Sequence, residues 1–280
     1  MPFSNAEIAE YYDTTAVHYR RWWGLQEHKA LHYGLWAPGI RTFGEALAET
    51  NRVMANAVGI SSEDTVLDAG CGVGGASLYL AGQGTKVTGI TLSEGQAREA
   101  TQHAQSMGLQ ERVQFQVADY TQTPFSDGTF SVVWACESVC HAADKGAFLQ
   151  EAYRLLAPGG RFVVMDFWRT HAPDPKGYVA QWGQAWGVPF FARLDDFVEQ
   201  ADSVGFTSIA RTDYTDYIQP SARRLHRAAW WGQWGSKLYN LTHPQVSRFA
   251  RRHYRSGLYQ GRALRQGLWQ YALVTATKAT

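Results

Sequence analysis

The sequence predicts an α/β fold: a seven-stranded, mostly parallel sheet with helices on both faces and a helical cap. Three observations predict it. Apolar runs alternate with helix-like stretches through the middle of the chain, joined by short connections, which is the pattern of a parallel sheet covered on both faces. One of these runs passes directly into a glycine-rich turn and then a helix. Apolar residues make up 45% of the 280 residues and charged residues 18%, enough apolar surface for a full core and too little charge for wholesale disorder.

In chain order, the first 55 residues read as helical and aromatic-rich, with Tyr11, Tyr12, Tyr19, Trp22, Trp23, Tyr33 and Trp36. Strand-like runs follow at 65–68, 86–90, 113–118, 130–135 and 161–167, with helix-like stretches at 75–82, 94–107 and 144–157 between them. Pro158-Gly159-Gly160 stops the third of these helices and turns the chain into the fifth strand. Residues 170–192, rich in Trp, Gly, Pro and Phe, read as a loop or short lid. Residues 194–204 read as a helix ending at Gly205, 207–214 as a sixth strand and 269–277 as the last. About 54 residues separate those two strands, too many for a hairpin loop, so a helical insertion is expected there. The resulting division is a helical cap segment at 1–55, a ligand-binding core at 56–214, a helical cap insertion at 215–268 and a final core strand at 269–280. Both cap segments are expected over the carboxyl edge of the sheet, where such folds bind ligands.

Composition narrows the setting. No apolar run approaches the roughly 18 residues of a membrane-spanning helix, and the first residues lack the basic start and apolar stretch of a secretory signal. Cys71, Cys136 and Cys140 cannot form a disulfide framework, so a reducing cytoplasm is expected. No His/Cys/Asp cluster has metal-ligand spacing, and no metal is expected. Aromatic residues reach 14%, with 11 Trp, which suggests a pocket for an apolar or flat ligand as well as a core. Charge is divided unevenly: residues 211–280 hold 12 Lys/Arg and 2 Asp/Glu, a local +10, and residues 1–210 a local −9. Such a basic surface suits an anionic substrate, an acidic membrane face or nucleic acid.

The strongest local signal is 66–75, Val-Leu-Asp-Ala-Gly-Cys-Gly-Val-Gly-Gly. Glycines in the turn let a ligand approach the backbone closely. Gly70, Gly72 and Gly75 also satisfy the dinucleotide pattern G-x-G-x-x-G, so the turn alone is ambiguous. Three features separate the readings. Asp68, two residues before the first glycine, can hold a ligand ammonium group and would repel a pyrophosphate. A dinucleotide site wants an acidic residue about 20 positions on, but this chain has Thr91, Leu92 and Ser93, then Gln96. Asp119-Tyr120 closes the third strand with a carboxylate beside a ring, a pair suited to adenine.

With these motifs in order, the sequence resembles the class I S-adenosylmethionine (SAM)-dependent methyltransferases, whose fold is Rossmann-like. The resemblance covers roughly residues 60–170, and Ile90-Thr91-Leu92-Ser93-x-x-Gln96 is similar to the branch of tocopherol, sterol, cyclopropane-lipid and sugar methyltransferases. It implies that SAM is the cofactor. Asp68, Gly70, Cys71 and Gly72 would surround its methionine part, and Thr91, Leu92, Ser93 and Gln96 would hold the ribose. Asp119 and Tyr120 would flank the adenine, Ala135 would lie under the sulfonium, and Tyr12 would close over the cofactor. His32 and Tyr33 fall where the branch often touches the cofactor carboxylate.

For proton removal the first candidate is His141, at the carboxyl edge after the fourth strand, since an imidazole pKa near 6.5 suits base work. Asp166, ending the fifth strand, is the expected helper. Glu137 is read as positioning loops rather than reacting, and Cys71 as a packing residue. The acceptor is expected to be a small amphipathic or apolar molecule, of natural-product, isoprenoid or lipid type, methylated on oxygen or carbon in an aromatic cap. RNA methylation and non-catalytic SAM binding are the alternatives; against RNA, no RNA-binding module and no basic stripe interleaved with aromatics is found. The basic 211–265 region is a candidate contact for an anionic membrane or a phosphorylated substrate.

Overall fold

The computed structural model describes residues 3–243 and 245–280. Seven strands form one sheet in the order β3-β2-β1-β4-β5-β7-β6: β1 (Thr65–Ala69), β2 (Lys86–Thr91), β3 (Val113–Val117), β4 (Phe130–Cys136), β5 (Leu156–Arg169), β6 (Phe206–Asp213) and β7 (Trp269–Lys278). The first five pair in parallel, and β7 runs antiparallel between β5 and β6. The strand order reverses between β1 and β4, and a crevice opens beyond the carboxyl ends of strands at such a reversal.

Helices α1 (Asn5–Trp23), α2 (Leu25–His28) and α3 (Phe43–Ala57) precede the sheet. Ser4 caps α1 in a capping box with Glu7, and Thr42 caps α3 in the same way with Glu45. Helices α4 (Gly75–Gly82), α5 (Glu94–Ser106) and α6 (Lys145–Leu155) make the crossovers between parallel strands. Alternate residues of the strands feed two apolar layers: Val132 and Trp134 of β4 pack on one face of the sheet, Val133 and Ala135 on the other.

Two expectations need correction. Residues 170–192 are not all loop, because α7 (Tyr178–Trp186) lies within them. Its apolar residues Val179, Trp182 and Trp186 follow helical spacing, but Gly177 and Gly187, both in the left-handed region, bracket it and give the sequence a loop-like look. Trp182 stacks on Phe191 at 4.0 Å and on Trp186 at 5.6 Å, which anchors α7 to the core. Pro158-Gly159-Gly160 does not precede the fifth strand. It lies inside it, in an irregularity of the ladder between the pairs Phe130–Leu156 and Val132–Arg161.

Helix α8 (Leu194–Val204) ends at Gly205 and precedes β6. The stretch before β7 folds as two helices, α9 (Gln219–Thr242) and α10 (Arg248–Arg265), packed on each other. Helix α10 also packs on α1 and α7, so the first helix and the stretch before β7 meet above the sheet. Among the described residues no helix is long and apolar enough to cross a membrane.

Candidate functional site

The crevice at the strand reversal holds a cavity of about 930 Å³, part of it open to solvent. Its floor is the β1–α4 turn. Gly70 has φ +90, and a Cβ there would lie 2.4 Å from the Ser138 Cβ, so this close crossing of the two strand ends requires glycine. Asp68, Gly70, Cys71, Gly72, Thr91, Leu92, Ser93, Gln96, Tyr120, Tyr12, His32 and His141 all line this cavity. Helix α1 roofs it with Ile8, Ala9, Tyr12 and Tyr19.

Several polar groups are held in set orientations. Asp68 is buried and accepts a 2.6 Å bond from the Ser77 hydroxyl; burial pushes its carboxyl up to about 6. The Thr91 hydroxyl donates to Gln96 Oε1 at 2.7 Å, which turns the amide nitrogen toward the glycine loop. Ser93 caps α5 by accepting from the Gln96 N–H, and its hydroxyl donates to Asp13 of α1. The residue expected on a ribose therefore also ties the roof helix to the rim. His32 Nδ1 bonds to the Tyr33 carbonyl at 2.9 Å, while its Nε2 is buried with no partner. Desolvation holds this ring below its usual pKa.

His141 sits in a 3₁₀ turn, Val139–His141, after β4. Its Nδ1 bonds to the Gly187 carbonyl at 3.2 Å and its Nε2 to the Tyr12 hydroxyl at 2.8 Å. A carbonyl only accepts, so Nδ1 carries the proton and Nε2 accepts from Tyr12. Burial pushes its pKa down to about 4, so the ring is neutral near pH 7.

Four expected members stand elsewhere. Asp166 does not pair with His141: its carboxylate accepts from the backbone N–H groups of Cys140 (2.9 Å) and Phe167 (2.7 Å). It shapes the turn that carries His141, as does Lys145, whose ammonium donates to the carbonyls of Cys140, Ala142 and Phe190. Asp119 is outside the lining, with one oxygen bonded to Asn5 Nδ2 and the other to Thr121. Ala135 points into the opposite apolar layer, because strand side chains alternate, and its neighbours Cys136, Glu137 and Ser138 reach the cavity instead. Tyr33 lines a different cavity, described next.

That second cavity, of about 780 Å³, lies between α1, the sheet and the α9–α10 pair. Its walls include Trp22, Trp23, Tyr33, Phe167, Trp186, Leu225 and Tyr254, and among the described residues no Lys or Arg lines it. Tyr19, Leu31, Glu137 and Trp186 line both cavities. The tryptophans of α7 and α9 divide: Trp186 reaches both cavities, Trp182 is core, and Trp230, Trp231 and Trp234 are exposed.

Glu137 is the residue that the sequence reading undervalued. It has φ +51, and its Oε1 accepts from the Tyr33 N–H (2.6 Å) and the Tyr271 hydroxyl (2.8 Å). It therefore positions loops, as expected, but it also stands on the shared wall of the two cavities. Burial, with the Asp166 charge nearby, pushes its carboxyl up to about 8. The signal was available: an acidic residue directly after a core strand that ends at the crevice. Among the described residues no three His, Cys, Asp or Glu side chains converge as a metal site would require.

These residues fit SAM. A buried carboxylate faces the cavity for an ammonium group, the glycine floor leaves room along the backbone, and the orphaned His32 Nε2 suits a carboxylate that would hold the ring protonated.

Comparison with known proteins agrees. Residues 67–164 match the family described as a methyltransferase domain. The chain is 31% identical over 234 residues to a chloroplastic tocopherol O-methyltransferase of Arabidopsis thaliana, covering 76% of this chain and 66% of that one. It is 32% identical over 222 residues to the 27-O-demethylrifamycin SV methyltransferase of Amycolatopsis mediterranei, covering 77% and 79%. It spans slightly under two thirds of the plant tocopherol enzymes it matches. In fold it is similar to the [4+2]-cyclase SpnF (TM-score 0.82, 22% identity, 100% of this chain and 97% of that one). It is also similar to geranyl diphosphate C-methyltransferase of Streptomyces coelicolor (TM-score 0.76, 19% identity, 100% of both). With the ordered motifs, the cavity they build and these identities together, the chain belongs to the SAM-dependent methyltransferase family.

Proposed function

We propose that this protein transfers a methyl group from SAM, held in the first cavity, to an oxygen or carbon of a small apolar or aromatic acceptor held in the second. The observation that carries this reading is the pair of adjoining cavities that share Tyr19, Leu31, Glu137 and Trp186, one floored by the glycine turn, the other walled by aromatic rings with His18, His253 and Gln260 among them. The tocopherol and rifamycin names of the relatives point to acceptors of the same apolar kind. The absence of Lys and Arg from the second cavity's described lining argues against a phosphorylated acceptor.

SAM, when bound, supplies an electrophilic methyl group on a positively charged sulfonium. Asp68 would hold the ammonium end, His32 the carboxylate end, Thr91 and Gln96 the ribose, and Tyr120 would pack on the adenine. Tyr12 and Tyr19 exclude water from above, and the aromatic walls align the acceptor, which is the protein's main task in a displacement at carbon. Glu137 is placed to take the acceptor's proton, because it borders both cavities; a positive charge in the first favours its ionised form. His141 borders only the first, and its Nε2 lone pair already accepts from Tyr12, so it acts as a positioning residue for the roof.

Calorimetric titration tests the cofactor half. SAM and S-adenosylhomocysteine should bind and NADH should not. Asp68→Asn should weaken SAM about ten-fold or more, the loss of a charge-assisted hydrogen bond. Tight NADH binding without SAM binding would overturn the reading.

A further inference from the structure

Helix α9 presents two opposite faces. Leu225, Ala229, Gly232 and Ser236 form the inner one and line the second cavity. The outer one carries Trp231 (68% exposed), Trp234 (61%), Leu238 (66%) and Leu241 (81%) at helical spacing, with Arg227 on the same stripe. Lys237 stands beside it, its ammonium 4.7 Å from the centre of the Trp234 ring. An apolar stripe this continuous is rare on a surface without a partner. The helix itself carries charge of one sign: Arg223, Arg224, Arg227 and Lys237 are all exposed, and it has no Asp or Glu.

We propose that the outer face of α9 docks on an anionic lipid surface. Indole rings favour the boundary between headgroups and acyl chains, the two leucines supply apolar area to bury below it, and the flanking cations meet the anionic headgroups. A second copy of this chain fits less well, since a two-fold contact through this face would set one cationic surface against another. A nucleic acid could stack on indoles but offers nothing to Leu238 and Leu241. The docking does not rest on the function proposed above.

The test is co-sedimentation of the full chain with vesicles of phosphatidylcholine alone and of phosphatidylcholine mixed with phosphatidylglycerol. The chain should sediment with the mixed vesicles, far less with the neutral ones, and less again at raised salt. The double variant Trp231→Ser, Trp234→Ser should bind the mixed vesicles about ten-fold more weakly or worse. Both positions are exposed and outside the two cavities, so SAM binding, titrated on the same samples, should be unchanged. No binding to the mixed vesicles, equal binding by the double variant, or a self-association or RNA binding that the same substitutions abolish would each overturn the docking. Lost docking with intact SAM binding would leave the methyl-transfer reading standing.

Discussion

Glu137 carries the sharpest consequence of the structure at the scale of single residues. Its folded pKa of about 8 lies above its ordinary value of 4.5, so the folded state keeps a proton that the unfolded state has lost. Stability is therefore present at low pH and falls as pH rises toward 8. Asp68 and Asp166, pushed up to about 6, contribute the same loss at lower pH. The buried histidines act oppositely: the pKa of His141 is about 4 against an ordinary 6.5, so its contribution is complete above 6.5 and is lost on acidification. From pH 6.5 to about 8 the falling slope belongs mainly to Glu137. Glu137→Gln should flatten it, recovering up to about 2 kcal/mol at the alkaline end, as read by denaturant unfolding across that range. The same variant should bind SAM normally and lose most turnover, since the amide keeps an oxygen for Tyr33 and Tyr271 but takes no proton. Turnover equal to wild type would remove Glu137 from the reaction.

The residue scale is also where the sequence was least legible. Asp68 and the glycines Gly70 and Gly72 of the β1–α4 turn line the first cavity, because the turn geometry leaves little choice. Ala135 and Asp166 lie outside that lining for a different reason. A strand's end can be read from its sequence, but the face its last side chain takes, and the amide that reaches it first, depend on the neighbouring strand. Asp119 and Tyr33 lie outside the first cavity's lining because the N-terminal segment, through Asn5 and the Tyr33 N–H, engages the sheet in a way no local pattern encodes.

Among elements, the segment after α2 lies directly against the start of α4. Gly75 opens α4, and a Cβ there would lie 2.1 Å from the Lys29 carbonyl oxygen. That carbonyl belongs to the backbone, so the clash cannot be relieved by a rotamer change. The 29–32 segment, which forms part of the cavity wall, must move. Gly75→Ala should therefore cost about 1–3 kcal/mol, the usual range for overpacking. It should also weaken SAM about ten-fold through displaced His32. Thermal unfolding and titration check this; an unchanged SAM affinity would show that the 29–32 wall does not touch the cofactor. Strands and crossover helices were visible from apolar runs and their spacing. Helix α7 was not, since the glycines that end it look like those of a loop, and its indoles are spent on a core assembled from β5 and β7.

At the scale of the whole molecule, the first helix and the stretch between β6 and β7 join over the sheet. Helix α1 meets α10, and Tyr11 bonds to His253 at 3.0 Å, so the roof of the cofactor cavity and the wall of the second cavity form one unit. The uneven charge is explained in part by this arrangement: Arg248 pairs with Glu7 of α1 and Arg211 of β6 with Asp195 of α8, while the cations along α9 face outward. The second cavity could not be foreseen as a volume, because its walls come from seven separated stretches of sequence. The central claim is transfer from the first cavity to an apolar acceptor in the second, and the direct measurement is the fate of methyl-labelled SAM. Purified protein would be incubated with an organic lipid extract, with water-soluble metabolites and with total RNA. Label should enter the organic pool, and Glu137→Gln should leave it nearly unlabelled; label in RNA or in polar metabolites, or none in any pool while SAM binds, would contradict it.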